Sequence, residues 1–137
     1  MLENQYLPDL SHLPKEAKEE IDIRIEKVNI IIRKIASLDR KFFEHNSSID
    51  YIFRVNQDIY MRNGYNGVDM KLGLDRPVDF SHGGTIWGLT KDFVLFILHG
   101  NKCNGQHGYG GLYCKKWGYK DSSMEEIIQV AKNLQYL

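Results

Sequence analysis

Ile21-Asp-Ile-Arg-Ile25-Glu-Lys-Val28-Asn-Ile-Ile-Ile32-Arg-Lys-Ile35 is the stretch that decides the fold. Ile21, Ile25, Val28, Ile32 and Ile35 recur in steps of four and three, the spacing of one buried stripe on an α-helix. Pro14 suits a first helical turn, and the charged run Lys15-Glu-Ala-Lys-Glu-Glu20 follows it. The helix is expected to begin there and to continue to about His45. At about 100° per residue, Ile31, Leu38, Phe42 and Phe43 fall on the same broad arc. Ile23 and Ile30 fall on the opposite, otherwise charged side. A helix facing one core has no use for those two residues. Either a long loop or the arm of residues 1–14 covers them, or they form a homodimer contact through the long helix.

Beyond Asn46-Ser-Ser48 the period changes from helix to strand. Tyr51-Ile-Phe-Arg-Val55 and Asp58-Ile-Tyr-Met-Arg62 are short and rich in aromatic and β-branched residues, and Val68-Asp-Met-Lys-Leu72 alternates apolar with polar. Asn63-Gly64 and Asn66-Gly67 are turn dipeptides. Thr85-Ile-Trp-Gly-Leu89 and Phe93-Val-Leu-Phe-Ile-Leu98, separated by Thr90-Lys-Asp92, read as a hairpin whose second arm is a central strand covered on both faces. Leu112-Tyr-Cys-Lys-Lys-Trp117 reads as a further strand. A last helix is signalled by the capping box Ser122-Ser-Met-Glu125, with Ile127, Val130, Ala131, Leu134 and Leu137 as its buried face. The expected fold class is α+β, with a long N-terminal and a short C-terminal helix packed on a mainly antiparallel sheet. Residues 1–14 form an arm and residues 15–137 a single α+β domain.

Composition narrows the function classes. The chain has 137 residues, of which 42% are apolar and 26% charged, enough for one core and too apolar for wholesale disorder. Eighteen basic residues balance eighteen acidic ones, so attraction to nucleic acid or to a membrane surface has to come from a local patch. The start of the chain lacks a basic region followed by an apolar run, and Phe93–Leu98 is far too short to span a bilayer. A cytoplasmic location without membrane contact is expected. Cys103 and Cys114 fit a reducing compartment, as thiols or as metal ligands.

Residues 99–121 concentrate the chemistry. His99, Cys103, His107 and Cys114 are the right types for tetrahedral zinc, although three, three and six intervening residues match no standard knuckle. Packed thiols and turn histidines are the simpler reading. Cys103 with His107 or His99 as its base would make a nucleophile, but no helix start follows Cys103 to activate it. The same segment carries Lys102, Lys115, Lys116 and Lys120 among Tyr109, Tyr113, Trp117 and Tyr119, with glycines interspersed. Aromatic faces stack on bases or anchor a protein partner, lysines neutralise phosphate, and glycine admits close backbone approach. Tyr113, Lys115 and Trp117 share one strand parity, which favours a partly exposed face. Ser81-His82-Gly83-Gly84 lacks the context of a phosphate loop. The hairpin would nevertheless bring His82 to the same rim as His99.

No family is recognisable from these residues. Small size, neutral charge, abundant Asn, Lys and Ile, and the lack of catalytic motifs resemble small phage and mobile-element proteins that bind and block a host factor. The expectation is a non-enzymatic inhibitor or adaptor that recognises a protein or a nucleotide-containing partner through His82, Lys102, Tyr109, Tyr113, Lys115, Lys116, Trp117 and Lys120. The alternative is a small zinc- or nucleotide-dependent enzyme, or a structural zinc domain, using His82, His99, Cys103 and His107.

Overall fold

The computed structural model describes residues 15–56, 58–73, 84–103, 111–114 and 117–137. The first helix, α1 (Lys15–Ala36), lies at the centre. All five residues of its stripe are buried, and so is Ile31. Burial spreads wider than one stripe because a short strand, β3 (Tyr51–Val55), and two further helices, α2 (Gly84–His99) and α3 (Asp121–Asn133), all pack on α1. Each such aliphatic side chain contributes about 1.5–3 kcal/mol when fully buried. Ile23 is 57% exposed and Ile30 half-buried, so the two residues singled out on the charged side have different surroundings.

Helix α1 stops at Ala36, well short of His45. Asp39, Lys41 and Phe43 adopt left-handed backbone angles (φ 41°, 51° and 72°), which no α-helix continues. Contacts from far along the chain hold this turn. The Tyr119 hydroxyl donates to the Ile35 carbonyl (3.0 Å), one of the acceptors a helix end leaves open, and accepts from the Phe42 amide (3.0 Å). Phe42 lies against Trp117 and Tyr119, with ring centroids 5.9 and 5.3 Å away, while Phe43 is fully buried.

Next comes a two-stranded antiparallel pair, β1 (Glu44–His45) with β2 (Ser48–Ile49). It is followed by a three-stranded antiparallel meander of β3, β4 (Asp58–Arg62) and β5 (Asp69–Lys71), with β4 in the middle. The register sets Ile52 opposite Met61 and Met61 opposite Met70, all buried, so period-2 alternation sends one face inward. Phe53 and Tyr60 pair on the other face, their rings stacked at 5.7 Å. The turn dipeptides act through their side chains: Asn63 Oδ1 accepts from Tyr65 N (2.8 Å) and Asn66 Oδ1 from Val68 N (3.0 Å). The outer edge of β3 is closed by α1. Asn29, 8% exposed, donates from Nδ2 to the Ile52 carbonyl (2.9 Å) and accepts the Ile52 amide at Oδ1 (2.8 Å).

The expected hairpin over 85–98 is a single helix. Ile86, Leu89, Phe93, Val94, Phe96, Ile97 and Leu98 are all buried, so α2 is apolar nearly all round and shows no helical period to read. Thr90 is part of the helix, its hydroxyl bonded to the Ile86 carbonyl (2.9 Å). Gly100, at φ +76°, ends the helix with its amide on the Phe96 carbonyl (2.8 Å). Arg24 covers that end, its Nε on the Ile97 carbonyl (2.7 Å).

Helix α3 begins one residue before the expected capping box and is capped from elsewhere. Asp39, in its left-handed turn, accepts the Lys120 amide (2.5 Å) and the Ser123 hydroxyl (2.7 Å). Those bonds, the Ser123 one foremost, hold the Asp39 carboxyl below the ordinary range. Its contribution to stability is therefore complete above the unfolded carboxyl pKa of about 3.9, and it is lost as pH falls through the lowered folded value. In a pH series of denaturation curves, Asp39→Asn is expected to flatten the acid limb; an unchanged limb would show that the cap carries no linkage.

The far end of α3 closes with Gln135 N on the Lys132 carbonyl (3.0 Å) and Tyr136 N on the Ala131 carbonyl (2.9 Å). This is a Schellman closure with Gln135 at φ 65°, where glycine is usual. Gln135→Gly is expected to stabilise the protein by about 1 kcal/mol, since a left-handed L-residue costs roughly 1–2 kcal/mol. A drop in melting temperature would contradict this. The closure sends Tyr136 into the core, edge-on to Phe93 (5.5 Å) and Phe96 (5.0 Å). Burial first, then the neighbouring Cys103 and Asp92 groups, push the Tyr136 hydroxyl well above the usual phenol range.

Candidate partner-binding cleft

Among the described residues, the 99–121 segment is two places rather than one rim. His99, Lys102 and Cys103 line a cleft of about 310 Å³ together with Asp92, Leu95 and Phe96 of α2. Tyr113, Cys114 and Trp117 line another, of about 330 Å³, against Asp121, Met124 and Ile128 of α3. The two cysteines thus belong to different clefts; both are thiols. Among the described residues, no three His, Cys, Asp or Glu side chains gather as metal ligands. His82, His107, Tyr109, Lys115 and Lys116 lie outside the described residues. The expected nearness of His82 to His99 depends on the hairpin. The helix that replaces it sets residues 84 and 99 about 22 Å apart.

The second cleft owes its shape to a turn, not to the expected strand. Trp117 donates from Nε1 to the Gly111 carbonyl (3.0 Å), closing the segment on itself over six residues. Strand parity fails accordingly: Tyr113 is 39% exposed, whereas Trp117 is 1% exposed. Trp117 is the cleft floor rather than a projecting anchor. Gly118, at φ +76°, lets the chain pass under Arg40, whose Cδ lies 3.0 Å from the place a Cβ would occupy. Arg40 Nη1 holds the Trp117 carbonyl (3.3 Å), so the turn after α1 and the cleft floor form one unit. Tyr119 is buried beside them, and burial raises its hydroxyl pKa above the usual value.

Two of the lysines of the expected basic segment, Lys115 and Lys116, lie outside the described residues, and the described lining of this cleft is acidic. Asp121 and Glu125, one turn apart on α3, line the cleft, and among the described residues no basic side chain does. Asp121 sits in the first turn of α3, where the helix dipole favours it. Lys120 is exposed and donates its backbone amide to Asp39, and Lys102 serves the other cleft. Met124, Glu125 and Ile128 were missed as cleft residues. Their signal was there: Met124 and Ile128 are an i, i+4 apolar pair one step off the buried stripe of α3.

A sequence family described as YoqU matches residues 17–137, from the first turn of α1 to the last residue described. The chain belongs to the YoqU family. It is similar to the SPbeta prophage-derived uncharacterized protein YoqU of Bacillus subtilis (strain 168), at 32% identity over 119 residues covering 83% of this chain and 82% of that protein. No solved structure matches the chain. The prophage origin of that YoqU protein agrees with the phage-like class expected from composition. No helix among the described residues is long and apolar enough to cross a membrane.

Proposed function

We propose that this YoqU-family protein is a non-enzymatic inhibitor or adaptor that captures a short segment of a protein partner in the cleft that Tyr113, Cys114 and Trp117 form with α3. One observation carries the reading: a water-open cleft with an aromatic and Met–Ile floor is edged by two carboxylates. Such a site takes an apolar side chain and neutralises a Lys or Arg beside it. It suits a phosphate poorly, because Asp121 and Glu125 would repel one. Tyr113 supplies the aromatic contact at the rim.

A random peptide library panned on the protein tests this. Selected peptides are expected to place an aromatic or branched apolar residue one or two positions from Lys or Arg. Tyr113→Ala should weaken the best of them at least about tenfold, or 1.4 kcal/mol. Because Tyr113 is a rim residue, its stability cost should stay within about 0.5 kcal/mol. Peptides without a basic residue, or full affinity in Tyr113→Ala, would overturn the reading.

A further inference from the structure

We propose that the N-terminal half of α1 and the C-terminal half of α2 form a face on which a second copy of this chain docks, with the two α1 helices antiparallel across a two-fold axis. Single exposed apolar residues need no explanation, but here two stand on adjacent packed helices: Ile23 on α1, 57% exposed, and Leu95 on α2, 42% exposed. A shallow cleft of about 240 Å³ beside Ile23 and the cleft of about 310 Å³ beside Leu95 both have Phe96 in their walls. Phe96 thus joins two indentations, with exposed Ile23 in the wall of one and exposed Leu95 in the wall of the other.

Its charges select the occupant. Glu20 and Lys27 line the first cleft with Ile23, the acid three residues before it and the base four after. Antiparallel apposition of two α1 helices near Ile23 sets Glu20 of each copy against Lys27 of the other, twice over. That reciprocity is what an isologous contact requires. A partner of one charge sign would satisfy only half of the face. Arg24, also in this cleft, is committed to the Ile97 carbonyl and stands 3.9 Å from the Glu20 carboxylate, a long pair whose acid is exposed, which leaves Glu20 able to face Lys27 of the other copy. Ile23 and Ala36 are about 20 Å apart along α1. The partner-binding cleft lies beyond the Ala36 end, beside the turn of Arg40, so the dimer leaves both such clefts open and becomes bivalent.

Light scattering on the full chain is the experiment. Wild type is expected at twice the 16.0 kDa chain mass at high micromolar concentration. Ile23→Glu is expected to be monomeric, with the melting temperature of wild type at dilutions where wild type is also monomeric, since the side chain is exposed in one copy. Glu20→Lys should weaken the dimer about tenfold by setting like charges opposite one another, and Glu20→Lys combined with Lys27→Glu should restore it. A monomeric wild type, a dimer indifferent to Ile23→Glu, or a double variant no tighter than the single one would overturn the proposal.

Discussion

Asn29→Ala is expected to lower the unfolding free energy by about 2–4 kcal/mol and to bring the urea midpoint down by roughly 1–2 M. The reason is local. Asn29 is almost fully buried, and both functions of its amide are used on one residue, the Ile52 amide and carbonyl. Strand β3 is an edge of the meander, and among the described residues its outward backbone groups have no strand partner on that side. The asparagine stands in for one. Truncation leaves a buried donor and a buried acceptor unmade, each costing about 1–3 kcal/mol. Asn29→Asp keeps only the acceptor and adds a charge, so it should be no better than alanine. A loss below about 0.5 kcal/mol for Asn29→Ala would mean that water replaces the side chain there.

Trp117→Ala should cost about 3–5 kcal/mol, the range for removing a large aromatic from a packed core. Trp117 is a fully buried side chain that touches Phe42 and Tyr119 and closes its own turn through Gly111. Its loss would loosen the cleft floor and the turn after α1 together. Peptide binding should therefore disappear in Trp117→Ala along with stability, whereas Tyr113→Ala separates the two. Calorimetry on both variants distinguishes these roles. A Trp117→Ala protein as stable as wild type would refute its placement as the floor.

The legible parts of the fold are those where one face is buried and the other wet. The stripe of α1, the alternation of β3 to β5, the two Asn-Gly turns and the apolar face of α3 all announce themselves through period or turn chemistry. Helix α2 does not, because a segment buried nearly all round carries no contrast between faces. Its Gly88 and the Thr90-Lys-Asp92 run imitate a turn within it. The remaining misreadings share a different cause. Asp39 capping α3, Tyr119 capping α1 and Arg24 covering α2 are single side chains acting across more than 70 residues, and no local pattern encodes them. Of the residues expected in the binding segment, Tyr113 and Trp117 line the proposed cleft, while Lys115 and Lys116 lie outside the described residues. Tyr113 and Trp117 were visible, whereas Glu125 comes to the cleft on a helix that the sequence assigned only to the core.

If Asp121 and Glu125 select a basic segment for the cleft, a reciprocal charge swap reverses that selection. A library-selected peptide and its Lys→Glu or Arg→Glu counterpart would be titrated calorimetrically into wild type and into Glu125→Lys. Wild type is predicted to bind the basic peptide at least about tenfold tighter than the acidic one, and Glu125→Lys to reverse that order. Equal affinities in wild type, or a preference that Glu125→Lys leaves unmoved, would contradict it.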